Sequence, residues 1–213
     1  MKFGVVVFPG SNCDKDIITA LRDEMQQEVM ELWHKDKDLS VFTEADCIIL
    51  PGGFSYGDYL RCGAIARFSP MMHSVIRFAN DGGKVLGICN GFQILCESGL
   101  LPGVLLRNAN MQFVCKNIFI TNENDAQKQI FKIPVAHGEG RYYANEEILE
   151  NLRENKQIIY RYCDKAGSFT NTADNPNGAS INIAGICNRE RNVIGMMPHP
   201  ERACSKVLDN EDG

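Results

Sequence analysis

Largely apolar runs alternate with helical patterns in the first half of the chain, and each run stops at glycine, proline or a polar turn. The runs are Lys2–Phe8, Glu28–Trp33, Asp46–Leu50 and Lys84–Ile88. Their length and composition predict strands, and the segments between them predict helices that connect parallel strands. The alternation therefore predicts an α/β fold, an open parallel sheet with helices on both faces.

Proline and glycine mark the ends of the predicted elements, since proline suits the first turn of a helix and glycine the residue after its last turn. Four helices are predicted. The first is capped by Asn12 or Asp14 and reaches about Gln26, and the second begins at Ser69 and Pro70 and reaches Asn80. The third is Asn90–Glu97, which Gly99 follows, and the fourth is Glu146–Arg153. The later predicted strands are Gln112–Thr121, Phe131–Ala136, Gln157–Tyr162 and Asn192–Met197.

Length and charge limit the classes of protein to which the chain can belong. Its 213 residues suit a single α/β domain, 1–213. A net charge of -5 argues against nucleic-acid and membrane-surface partners, which require a basic face. The sequence lacks the roughly 18-residue apolar run of a transmembrane helix. Nine cysteines without a C-x-x-C pair, and four histidines at no metal spacing, predict thiols in a reducing cytoplasm and no metal site.

A cysteine stands where the fourth predicted strand meets a helix, in Gly87-Ile88-Cys89-Asn90-Gly91. Parallel sheets bind ligands at the carboxyl ends of their strands, where this segment falls. It has the form of the nucleophile elbow G-x-S-x-G with cysteine in place of serine. The strained turn needs small residues on both sides, and the following helix N-terminus favours a thiolate. We predict that Cys89 is a nucleophile; the alternative is a core cysteine between two glycines.

A nucleophile that attacks a carboxamide needs N–H donors for the charge that develops on oxygen. The backbone N–H of Asn90, beside Cys89, is one candidate. The segment Pro51-Gly52-Gly53, which ends a neighbouring predicted strand, can supply another because glycine allows close approach of the backbone. Taken alone, this segment is better explained as a simple turn.

The thiol also needs a general base, and one imidazole can serve both proton transfers. His199 follows the last predicted strand and is flanked by two prolines that stiffen the backbone. Glu201 projects to the same side of an extended segment, so it can accept the imidazole N–H and fix the tautomer. The alternatives are a surface His-Pro-Glu turn and the competing His137, whose glycine-rich loop suits substrate contact better than a rigid base.

The motifs Gly-Ile-Cys-Asn-Gly-Phe-Gln and His-Pro-Glu resemble those of the class I, or triad, glutamine amidotransferases. Three further segments are similar to the glutaminase subunits of phosphoribosylformylglycinamidine synthases, enzymes of the purine pathway. These segments are Pro51–Asp58, Ala136–Tyr142 and Asn175–Gly178, and the resemblance runs from about residue 1 to about residue 204.

The resemblance implies a flavodoxin-like fold and a triad of Cys89, His199 and Glu201 that hydrolyses L-glutamine through a thioester. It implies that Gly53 is the second oxyanion donor, next to Asn90, and that Gln93, His137 and Gly138 contact the substrate. It also implies two partners: a synthetase subunit, PurL, which uses ATP and Mg, and a small subunit, PurS. It implies that this chain itself carries no cofactor. Such subunits usually carry a further terminal helix, whereas 12 residues follow Glu201, so a short or clipped C-terminus is expected.

Two other classes of function remain open on the same fold. A stand-alone cysteine hydrolase, such as a peptidase or γ-glutamyl hydrolase, should be fully active by itself. A non-catalytic binding or redox-sensing module would keep the sheet but would not need His199 and Glu201.

Overall fold

The computed structural model describes residues 1–122, 124–125, 127–170 and 172–213. They group into two compact units, which are described separately. The first unit comprises residues 1–101 and 190–195, and the second comprises residues 102–189 and 196–213. None of the helices in the described part of the chain has the length and apolar composition needed to cross a bilayer.

The first unit holds a parallel sheet. Its elements are β1 (Lys2–Val7), α1 (Asp14–Thr19), β2 (Glu28–Trp33), β3 (Cys47–Leu50), α2 (Pro70–Asn80), β4 (Lys84–Ile88) and α3 (Asn90–Glu97), and β11 (Val193–Met196) contributes its first three residues. The strands lie in the order β2-β1-β3-β4, with β11 beside β4. Parallel pairing joins β1 to both β2 and β3, and β3 to β4.

This strand order places a switch point between β1 and β3, because the chain leaves β1 toward one edge and later leaves β3 toward the other. Right-handed crossovers then put α1 and α2 on opposite faces of the sheet. The strands between them are buried on both faces, and Val5, Val6 and Ile48 are fully buried. Ligands bind outside the carboxyl ends of such strands, so the ends of β1 and β3 and the end of β4 become the candidate region.

The helices of the first unit begin at the predicted capping residues, with one exception. The side chain of Ser69 caps α2 by accepting a hydrogen bond from the N–H of Met72 at 3.2 Å, and Pro70 is its first residue. The prediction that Asn12 or Asp14 caps α1 is wrong: Cys13 stands at the N-cap, without a side-chain capping bond. A π-helical turn, Ala20–Glu24, continues this helix almost to the predicted end.

The second unit is mainly antiparallel. Its elements are β5 (Val104–Leu106), β6 (Val114–Asn122), β7 (Ile130–His137), β8 (Arg141–Tyr143), α4 (Glu146–Glu154), β9 (Ile158–Cys163) and β10 (Ile183–Cys187). Four strands lie in the order β10-β9-β6-β7, and β5 pairs with β8. All of these pairs are antiparallel.

The predicted α/β class with a parallel sheet is confirmed, and four elements have the predicted bounds: β2, α2, β4 and α3. Gly99 follows the end of α3 with a φ of 75°, as predicted for the residue after a helix. Strands β5, β8 and β10 were not predicted. Strand β7 extends one residue beyond the predicted end, so that it includes His137, which was expected in a loop.

Candidate active site

Cys89 occupies a strained turn between β4 and α3. Its backbone has φ 50° and ψ -103°, a conformation that side-chain-bearing residues rarely adopt. The two glycines around it are sterically required. A Cβ atom at Gly91 would overlap the carbonyl oxygen of Leu50, and one at Gly87 would lie 2.7 Å from the backbone of Gly91. The structure thus gives this segment the elbow geometry that the sequence predicted.

The elbow places Cys89 at the N-cap of α3, where its carbonyl accepts a hydrogen bond from the N–H of Gln93 at 3.1 Å. The N–H groups of the first helical turn have no partners within a helix, so they can bind a developing oxyanion. The N–H of Asn90, the first residue of α3, belongs to this group. The residue Cys89 is 5% exposed, which keeps the sulfur largely away from bulk water.

Gly53 lies three residues beyond the end of β3 and packs closely against the segment that follows β1. Its φ is 122°, and a Cβ atom there would lie 2.6 Å from the backbone nitrogen of Asn12. Only glycine fits this position, because both the backbone conformation and the space exclude a side chain. The loop after Gly53 reaches the elbow, since the N–H of Ser55 donates to the side chain of Asn90 at 3.2 Å.

Asn90 is 2% exposed, and its side chain makes three hydrogen bonds. Its oxygen accepts from Ser55, and its nitrogen donates to Asp58 at 3.1 Å and to the side-chain oxygen of Gln93 at 2.8 Å. Gln93, the predicted substrate contact, is itself buried, and its side chain is hydrogen-bonded to Asn90 within α3. Its role toward a substrate stays a prediction. The role of Asp58 could not be predicted, because its contact with Asn90 is distant in sequence.

In the second unit, His199 and Glu201 form a buried pair. The imidazole Nδ1 lies 2.6 Å from a carboxylate oxygen of Glu201, and both side chains are 1% exposed. The backbone N–H of His199 donates to the carbonyl of Pro134 in β7 at 2.9 Å, which anchors the ring from the sheet. With Nδ1–H directed at the carboxylate, the neutral ring has its acceptor lone pair on Nε2. The predicted contact between His199 and Glu201 is confirmed, whereas their roles as base and orienting acid stay a prediction.

His137, the competing base, is the last residue of β7 and is 3% exposed, so the expectation of a flexible loop was wrong. Its Nδ1 lies 3.1 Å from the side-chain oxygen of Asn108, and Nε2 lies 3.4 Å from the side-chain nitrogen of Asn177. Burial, together with the nearby His199, lowers the pKa of His137 to about 4. The ring is therefore neutral and held in place, which suits a structural group better than a titrating base.

Asn108 organises the segment around His137 and was not found from the sequence. It is fully buried, its oxygen also accepts from the N–H of Gly140 at 3.0 Å, and its nitrogen donates to the carbonyl of His137 at 2.9 Å. The backbone N–H of Asn108 donates to the carbonyl of Gly138 at 2.9 Å. Gly138 is therefore fixed through its backbone, although its predicted substrate contact stays a prediction.

Comparison with known protein families matches residues 1–211 to the CobB/CobQ-like glutamine amidotransferase domain. The chain is 57% identical to phosphoribosylformylglycinamidine synthase subunit PurQ of Moorella thermoacetica, over 100% of this chain and 92% of that relative. It is 52% identical to the PurQ subunit of Acaryochloris marina with the same coverage.

Among solved structures, a chain of PurLQS from Thermotoga maritima is similar, with a TM-score of 0.84, 39% sequence identity and coverage of 100% of this chain and 93% of that chain. A second glutamine amidotransferase from Thermotoga maritima is 14% identical with a TM-score of 0.57. That match covers 94% of this chain and 76% of the other, and it shows a shared fold alone.

Proposed function

Since the chain belongs to the glutamine amidotransferase family, we propose that it is the glutaminase subunit of a phosphoribosylformylglycinamidine synthase. It hydrolyses L-glutamine and supplies ammonia to an ATP-dependent synthetase subunit in purine biosynthesis. The observation that carries this proposal is the elbow at Cys89, a strained turn that two glycines make sterically possible. The PurQ relatives support the assignment over the whole chain.

The reaction begins with attack of the Cys89 sulfur on the carboxamide carbon of glutamine. His199 takes the thiol proton at Nε2, and the substrate oxygen becomes an oxyanion that the N–H groups of Gly53 and Asn90 bind. When the C–N bond breaks, the imidazolium returns the proton to the leaving nitrogen, which departs as ammonia. A thioester remains on Cys89.

Water then attacks the thioester while His199 takes its proton. The C–S bond breaks, glutamate leaves, and the proton returns to the sulfur. Glu201 stabilises the imidazolium in both halves of the cycle through the bond to Nδ1. Among the described residues the second carboxylate oxygen of Glu201 has no hydrogen-bond partner.

Partners, cofactors and location follow from the same proposal. Thiol, imidazole and carboxylate supply the nucleophile and the proton transfers, so this chain uses no cofactor or metal. ATP and Mg²⁺ act in the partner synthetase, PurL, and PurS is the small third subunit. We propose that residues 1–213 act as one glutaminase domain in the cytoplasm.

The first test uses 6-diazo-5-oxo-L-norleucine, a glutamine mimic that alkylates a glutaminase cysteine. The purified chain is incubated with it, alone and together with the synthetase subunits, and adducts are mapped by mass spectrometry. We expect one adduct on Cys89 that excess glutamine prevents. Cys89→Ser should abolish labelling and glutaminase activity, whereas Cys115→Ser, which changes an exposed cysteine on β6, should leave both intact.

Two results would contradict the proposal. Adducts spread over several cysteines, or none in the presence of the synthetase, would remove glutamine as the substrate. Full peptidase or γ-glutamyl hydrolase activity of the chain alone would favour a stand-alone hydrolase.

A further inference from the structure

The turn Ser55–Asp58, which follows Gly53, is held in a strained conformation. Tyr56 and Asp58 have φ values of 55° and 52°, in the left-handed region that glycine favours. Each such residue costs roughly 1–3 kcal/mol and persists only where surrounding contacts impose it. The contacts that impose it therefore also determine where the loop after Gly53 lies.

Three of the contacts that hold this turn link it to the ends of β1 and β2 and to the start of α3. The N–H of Tyr56 donates to the carbonyl of Pro9 at 2.6 Å, which ties the turn to the end of β1. The hydroxyl of Tyr56 is bonded to Nδ1 of His34, at the end of β2. The third contact is the side chain of Asn90, which joins both ends of the turn to the first residue of α3.

The orientation of the Asn90 carboxamide is fixed by its partners. An N–H donor, that of Ser55, faces the amide oxygen, and two acceptor oxygens, from Asp58 and Gln93, face the amide nitrogen. Rotation of the amide would oppose donor to donor and acceptor to acceptor. The other carboxylate oxygen of Asp58 accepts from the thiol of Cys62 at 3.0 Å, so the carboxylate is itself held from a second side.

We propose that Asp58 is a positioning residue for the oxyanion site and acts through the side chain of Asn90. This inference rests on the proposed function. The two N–H donors belong to separate elements, the loop after β3 and the start of α3, and the Asn90 side chain is a direct link between them. By holding that amide in one orientation, Asp58 keeps the loop of Gly53 in register with the elbow.

Loss of this link should reduce kcat more than it changes KM. The donors bind the substrate oxygen most strongly when it carries charge, so displacing one of them weakens the transition state more than the ground state. A small displacement of an oxyanion donor lowers the rate by about 10- to 100-fold. We therefore expect Asp58→Ala to lower kcat of the complex by about that factor and to change KM by less than about 3-fold.

The conservative variant separates position from charge. Asp58→Asn keeps an acceptor oxygen for the Asn90 amide and should retain kcat within about 3-fold of the wild type. Asp38→Ala serves as the matched control, because it removes an exposed carboxylate that accepts from the N–H of Ser40 far from the elbow in sequence. Unchanged kcat in Asp58→Ala, a loss confined to KM, or an Asp58→Asn variant as slow as Asp58→Ala would each overturn the proposal.

A double-mutant comparison tests whether Asp58 acts through Asn90. Asn90→Ala keeps its backbone N–H but loses the three side-chain bonds, and Asp58→Ala combined with it should be no slower than Asn90→Ala alone. Where Asp58→Ala does not fold, Asn90→Ala carries the test, and unchanged kcat in that variant would refute the link.

The proposed function is judged on the wild-type complex in the same experiment. If the wild type neither hydrolyses glutamine nor is alkylated at Cys89, the function fails. If it does both and the variants contradict the expectations above, only the role of Asp58 fails.

Discussion

The burial of His137 predicts how the free energy of unfolding should change with pH. Its pKa is about 4 in the folded chain and 6.5 in the absence of the fold, because the buried ring resists protonation and lies near His199. Below pH 6.5 the unfolded chain binds a proton that the folded chain does not, so stability falls as the pH decreases from about 6.5 to about 4. Above this pH window, the neutral ring makes its full contribution to the free energy of unfolding.

The size of the effect follows from the two pKa values. At about 1.36 kcal/mol per pH unit, the full difference amounts to about 3 kcal/mol, of which about 2 kcal/mol is lost between pH 7 and pH 5. That narrower range suits the measurement because most carboxylates are still ionised there. Replacing His137 with glutamine removes the titrating group and should remove this part of the slope.

The assay is urea unfolding followed by far-ultraviolet circular dichroism at several pH values, with the wild type and His137→Gln in parallel. His137→Gln is expected to be less stable at neutral pH, since the ring packs among Asn108, Asn177 and Gly140. The quantity of interest is the pH slope, not the absolute stability. His73→Gln, which changes an exposed histidine on α2, should retain the wild-type slope.

Equal slopes for the wild type and His137→Gln between pH 5 and pH 7 would refute the reasoning. They would mean that the folded ring takes up its proton at the same pH as in the unfolded chain, and hence that its burial is not maintained in solution.

Four further predictions concern single residues. Glu201→Gln should leave the circular dichroism spectrum unchanged and lower kcat by about 10³- to 10⁴-fold, because the amide favours the wrong imidazole tautomer; kcat close to the wild-type value would exclude Glu201 from the triad. Gly91→Ala should destabilise the fold by about 1–3 kcal/mol in urea unfolding, since its Cβ overlaps the carbonyl of Leu50, and an unchanged midpoint would contradict this. Gly138→Ala, whose nearest neighbour would lie 3.8 Å away, should keep its stability and raise KM for glutamine; an unchanged KM would place Gly138 outside the substrate site. Ser69→Ala should cost about 1 kcal/mol through loss of the α2 cap, whereas a loss of zero would show that the cap is dispensable.

Several elements could be predicted from local sequence because their ends are chemically marked. Ser69 and Pro70 begin α2, and Gly99 follows α3. Strands β5 and β8 could not be predicted in this way, since three residues are too few to show a period. The N-cap of α1 was mispredicted for a different reason, because a buried cysteine stands there in place of a polar capping residue.

The sequence alone predicted the geometry of the elbow and the contact between His199 and Glu201. Both are local: glycines two positions away permit the turn of Cys89, and a two-residue separation brings the carboxylate to the imidazole. The state of His137 was decided only by tertiary structure. Its low pKa comes from burial and from residues distant in sequence, and desolvation depends on the whole surroundings of a group.

The link between Asp58 and Asn90 is likewise a product of the fold. The two residues are 32 positions apart, and their hydrogen bond exists because parallel pairing of β3 and β4 brings the ends of both strands to one edge of the sheet. Residue types and spacing identify groups that can react. Which backbone and side-chain groups hold them in place depends on strand order and burial, and neither is encoded by any single segment of the chain.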